Sequence, residues 1–201
     1  MATSGPRGQY AKTPQRRQEI LDAAIQVFAA SGYRGGSLRE IADRVGMSLA
    51  GLLHHFTTKS ELLSSVLTMR DEVSSRDFGA AGEVPGEERL RRYLGLINSN
   101  ESVRGLAELF CILSAEATAP DHPAHQYFIQ RYQYVADLLE TAFVEVAAQG
   151  HLRPGVDPKQ AAIDLIAISD GIQLQWLLRP EVDHMGESVR RYLEFVTTLE
   201  F

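Results

Sequence analysis

Between Ser37 and Lys59 the chain reads SLREIADRVGMSLAGLLHHFTTK, and the spacing of Ala42, Gly46 and Leu52 within it leaves few ways to fold. Leu38, Ile41, Ala42 and Val45 recur at i, i+3, i+4 and i+7, the mark of a short helix with one face on a core. Ser37 precedes that helix and Glu40 follows three residues later, a spacing that predicts a capping box. Gly46 tolerates a positive φ, so the chain can turn sharply there. Ser48 is then placed to cap a second helix, whose Leu52, Leu53 and Phe56 include its inward anchors. Ala42 is small where the second helix must cross the first.

Leu49, Ala50, Gly51, His54 and His55 are left for the outer face of the second helix. Small residues at its start permit close approach, and its first N–H groups favour a phosphate, as in a helix that enters the major groove of DNA. Two amphipathic helices around a glycine also form plain hairpins in all-α proteins. The spacing, the two caps and the following Thr58-Lys59-Ser60-Glu61 segment together favour the DNA-reading arrangement.

The net charge of −6 argues against a nucleic-acid partner until its distribution is considered. Residues 1–59 hold eight Lys or Arg against four Asp or Glu, a net +4, and the remainder holds twelve against twenty-two, a net −10. A basic head on an acidic body suits a DNA-reading unit joined to one that does not touch DNA.

The stretch from Ile20 to Leu63 (ILDAAIQVFAASGYRGGSLREIADRVGMSLAGLLHHFTTKSELL) resembles the N-terminal domain of TetR-type transcriptional regulators, including the Gly32-Tyr33 helix exit and the His55-Phe56-x-x-Lys59 ending. The resemblance implies an all-α, TetR-like fold of about nine helices: a three-helix head and a helical body that binds ligand and dimerises. Residues 1–14 are then expected as a disordered basic arm, 15–60 as the DNA-binding domain and 61–201 as the body, with helix 61–77 connecting them. The expected DNA contacts are Arg16, Arg17, Tyr33, Ser37, Ser48, Leu49, Ala50, Gly51, His54, His55 and Lys59. Leu53 departs from the family, most of which carries a DNA-contacting Tyr there, so that contact does not carry over. The residue also leaves room for a different reading, a ligand-binding or protein-interaction module that no longer reads DNA. From His122 to Pro180 the chain is more loosely similar to the branch of the family that contains the choline-responsive repressor.

Elsewhere the periodicity is helical. Ile20, Leu21, Ala24, Ile25 and Phe28 mark a first helix ended by Gly32; Leu62, Leu63, Val66 and Leu67 mark the fourth. The FGAAGEVPG segment (78–86) reads as a boundary. Five more patterns follow: one around Leu90 to Ile97, one buried on most faces from 101 to 118, a long one from Tyr127 to Val146, one from Asp157-Pro158 to Pro180, and a last from Met185 to Leu199. Family likeness implies that the last two helices form a four-helix bundle with those of a second copy. Leu165, Ile168 and Ile172 offer one seam, and Val189, Leu193 and Val196 another; periodicity alone does not separate this from closure on their own chain, and the need of a helix-turn-helix reader for two half-sites favours the dimer.

No nucleophile motif, phosphate loop or dinucleotide fingerprint is present, which disfavours an enzyme and implies no cofactor. Cys111 stands alone, so no intramolecular disulfide forms, and the first twenty residues carry no apolar targeting core; both suit a cytoplasmic protein with no membrane partner. His122 and His125 have a spacing that could serve a metal, but without further ligands no metal site is expected. The resemblance also implies a small-molecule effector. Its expected pocket comprises Leu109, Phe110, Leu113, Tyr127, Tyr134, Asp170, Gln173 and Trp176, with Glu108 a further polar candidate and an apolar effector with one or two polar groups the best fit. Asp170 interrupts an apolar run, where an unpaired charge would be costly. The dimer seam, the pocket and solvent all remain open to it.

Overall fold

The computed structural model describes residues 12–78, 84–181 and 184–201. Among the described residues nine α-helices run in order: α1 (Lys12–Gly35), α2 (Leu38–Arg44), α3 (Leu49–His55), α4 (Lys59–Phe78), α5 (Gly86–Asn100), α6 (Arg104–Glu116), α7 (His125–Ala148), α8 (Pro158–Leu178) and α9 (Met185–Val196). A short 3₁₀ turn, Glu101–Val103, leads into α6. Among the described residues the only β pairing is an isolated antiparallel bridge from Leu152 to Thr197. The arm expected over 1–14 lies outside the described residues as far as residue 11, and Lys12 already belongs to α1. Most of the boundary expected at 78–86 is likewise undescribed.

Local chemistry accounts for the ends of these helices. Ser48 Oγ accepts from Gly51 N at 3.1 Å, and Asp157 accepts from Gln160 N at 2.8 Å ahead of Pro158. Gly46 takes φ 65°, and the Met47 N–H closes back onto the Ala42 carbonyl at 3.0 Å. The capping box expected at Ser37 forms only in half. Its hydroxyl accepts from Arg39 N, while Glu40 turns outward to Arg44, because an i,i+4 cation lies within its reach. A fuller cap lies two helices on, at the start of α4: Thr58 Oγ1 accepts from Glu61 N, and the Glu61 carboxylate returns to Thr57 N at 2.8 Å.

Two apolar cores hold the molecule. The first combines α1 to α4 with Leu109, Phe110, Leu113 and Ala117 from α6 and its end, and with Ala124 and Phe128 near the start of α7. The second joins α5, α7, α8 and α9 through Leu90, Leu139, Phe143, Leu165, Trp176, Val189 and Leu193. The head therefore has no core of its own; α1 is packed on α6.

Among the described residues one helix, α8, is long and apolar enough by composition to cross a membrane. Its apolar faces have other uses. Ala161, Leu165 and Trp176 close the second core, while Ile163, Leu174 and Leu178 point outward.

Candidate nucleic-acid interface and ligand cavity

At the end of α1, Gly32 adopts φ 68° and ψ 177°, and a Cβ there would fall directly on the Glu116 carboxylate. Only glycine fits, since both the backbone angle and the space exclude a side chain. That carboxylate accepts from Tyr33 N at 2.7 Å and stands 3.5 Å from Nε2 of the buried His122. His122 Nδ1 in turn accepts from Ala124 N, which leaves its proton on Nε2, facing Glu116. Burial holds the imidazole below its ordinary pKa, with Glu116 opposing. His125 directs its Nδ1 to the Ala117 carbonyl at 2.7 Å. Both imidazoles thus organise the α6–α7 turn.

On the head, Ala50 and His54 are exposed, and Leu49, Gly51 and His55 are partly so, all on α3 with the Ser48 cap at its start. Ser37 is exposed at the start of α2. Arg16 is partly exposed and pairs with Glu19. Three other expected contacts are drawn inward. Arg17 lies 4.0 Å over the Phe56 ring and donates to the His55 carbonyl and to Ser65. Tyr33 packs on Phe28 and edge-on to His122. Lys59 sits 4.5 Å above the Tyr33 ring and reaches the Arg34 carbonyl; partial burial lowers its pKa against the pull of Glu116.

A cavity of about 490 Å³ opens between the two cores. Of the residues expected there, Phe110, Tyr127, Tyr134, Asp170 and Gln173 line it. Leu109 and Leu113 do not, because they face α1 in the first core. Trp176 is buried in the second core beneath Arg104, and Glu108 pairs with Arg104 at the surface. Several polar contributors escaped the sequence reading, among them Arg70 and Asp71 on α4, and Arg131 and Tyr132 on α7. Asp71 accepts from Arg131 Nη1 at 2.7 Å and from Tyr127 Oη at 2.9 Å. Asp170 accepts from Tyr132 Oη at 2.7 Å, so it faces the cavity, and burial raises its pKa. Burial likewise pushes Tyr127 up to about 12. Tyr93 Oη donates to Ser169 Oγ, and Gln173 reaches the Cys111 thiol, itself raised by burial.

The expected dimer seam needs correction. Leu165, Val189, Leu193 and Val196 are buried within the single chain, and Ile168 and Ile172 are half-buried against the same core. The apolar side chains left outward on these helices are Ile163, Leu174, Leu178 and Phe195, at 45, 53, 73 and 75% exposure.

A short helix behind a capped glycine turn, joined through a shared core to a helical body with a cavity, is the architecture of a helix-turn-helix transcriptional regulator. Residues 20–66 match the model of bacterial regulatory proteins of the tetR family, and residues 86–197, over half the chain, match the C-terminal domain of BetI-type transcriptional repressors. The chain belongs to the TetR family and is a DNA-binding transcriptional regulator, not an enzyme. It is 26% identical to the HTH-type transcriptional regulator PksA of Bacillus subtilis, over 83% of this chain and 80% of that one. With the nicotine-responsive repressor HdnoR of Paenarthrobacter nicotinovorans it shares 28%, over 84% and 87%. Its fold is similar to that of a TetR-family regulator from Agrobacterium tumefaciens, with a TM-score of 0.75 at 20% identity, covering 92% of this chain and 99% of that one. A regulator from Saccharomonospora viridis solved with choline superposes with a TM-score of 0.70 at 22% identity, covering 92% and 98%.

Proposed function

We propose that the protein is a homodimeric repressor that binds a palindromic operator in the cytoplasm and leaves it when a small molecule enters the cavity. The observation that carries this reading is the position of α4. Its first residues belong to the head, and Arg70 and Asp71 near its other end form part of the cavity wall. A molecule seated there touches the element that carries the head. It can change operator affinity only by as much as it prefers the head spacing that does not fit DNA.

The proposed groove-facing set is Ser48, Leu49, Ala50, Gly51 and His54, with Ser37 and Arg16 beside it. The proposed interface between copies is the outward face of α8 and α9 around Leu174, Leu178 and Phe195. Two heads then sit about one helical turn of DNA, roughly 34 Å, apart or a multiple of it.

The test is binding to DNA flanking the protein's own coding region, followed by fluorescence anisotropy. His54→Ala should fold and dimerise normally and lose about 1 to 3 kcal/mol of operator affinity for each base contact removed. Lys59→Ala should act mainly on stability, because its ammonium is committed to Tyr33 and Arg34. Unaltered binding in His54→Ala, Ala50→Glu and Gly51→Glu alike would remove α3 from the interface.

A further inference from the structure

The cavity's polar groups do not balance. Oδ1 of Asp71 accepts from Arg131 and Tyr127, and Oδ2 of Asp170 accepts from Tyr132. The Tyr93 hydroxyl is taken by Ser169. Among the described residues that line the cavity, Arg70 alone has a buried side-chain nitrogen or oxygen without a hydrogen-bond partner: its Nη1, from which the nearest Asp71 oxygen, at 3.8 Å, is beyond hydrogen-bonding reach. The guanidinium lies over the Phe110 ring, with its central carbon 3.8 Å from the ring centroid. An unmet N–H on a buried cation is costly, and a chain keeps one where a ligand completes it.

We infer that the effector is an amphipathic anion, an aromatic or aliphatic body carrying a carboxylate or a similar acidic group, and that its acidic group docks on Arg70. This rests on the cavity's being the effector site. The body would lie among Leu96, Ile97, Val135 and Ile166, which give the cavity its apolar wall. The aromatic rings and Asp170 would also suit a cation. The guanidiniums of Arg70 and Arg131 on the same wall oppose one, and Arg131 already sits 5.9 Å from the Phe110 ring, where a cation would compete with it. Burial lowers the Arg70 pKa only to about 10, so it stays charged at neutral pH. Because Arg70 belongs to α4, the anion's grip falls on the helix that leads to the head.

Two dyes of one aromatic skeleton test this: 1-anilinonaphthalene-8-sulfonate and the uncharged N-phenyl-1-naphthylamine, titrated by fluorescence into the full chain. The expected result is about tenfold or greater preference for the sulfonate, despite its weaker affinity for apolar surfaces. In Arg70→Met the sulfonate should weaken to parity with the neutral dye, which itself should bind as before; Arg70→Lys should restore part of the preference. Equal affinities in the wild type, or a sulfonate preference that survives Arg70→Met, overturn the anion assignment while leaving the cavity as a ligand site. If neither dye binds, both the assignment and the cavity reading fall. Should Arg70→Met not fold by circular dichroism, the wild-type ratio and Arg70→Lys decide.

Discussion

Two residues at the join of head and body make the strongest single-site predictions. Gly32→Ala forces a Cβ onto the Glu116 carboxylate at a backbone angle that suits only glycine, so it should cost about 1 to 3 kcal/mol in a urea melt. His122 gives a pH signature. Its folded pKa lies below the ordinary 6.5, so as pH falls through 6.5 the unfolded chain takes up a proton that the folded chain refuses. Stability should therefore be unaffected by this group above pH 6.5 and decline below it until the folded value is reached. His122→Gln should flatten that part of the profile; an unchanged slope would show that the imidazole titrates freely. The sequence marked Gly32 as a helix exit, but neither its approach to Glu116 nor the role of His122 was legible there. His122 reads there as a loop histidine, because its partners come from the end of α6 and from Tyr33, 89 positions away.

Among the helices, α8 and α9 separate two kinds of apolar face. Leu193→Glu places a carboxylate in the second core and should abolish folding, whereas Leu174→Glu combined with Phe195→Glu should leave helicity intact and give monomers by sedimentation. Monomeric wild type at micromolar concentration would reject the outward face as an interface. Periodicity identified Leu165, Val189 and Leu193 as buried but could not say by what, and the burying surface is α5 and α7 of the same chain. The helix-turn-helix was far more legible. Its caps at Ser37 and Ser48, its turn at Gly46 and its core at Ile41, Ala42 and Leu52 depend on contacts within some twenty residues. The cavity lay between these extremes. Its aromatic residues stand out in an apolar pattern, but Arg70, Asp71 and Arg131 read as ordinary solvated helix charges until α4 and α7 are brought together.

For the molecule as a whole, linkage sets a reciprocal requirement: operator DNA must weaken the binding of any true effector by the factor by which that effector weakens operator binding. Anisotropy and dye titrations on one preparation check it, and unequal factors would mean that the compound acts elsewhere. The head's lack of a core of its own has a further consequence, for the way the protein melts. Since α1 is packed on α6 and shares one core with α2 to α4, heating should release the head and α6 as one cooperative block, with α5, α8, α9 and most of α7 as another. The cavity is walled by both blocks, by Phe110 from the first and by Tyr93, Val135 and Ile166 from the second or packed against it. Its occupant should therefore act as a thermal rivet, merging two calorimetric transitions of the free protein into a single sharper endotherm.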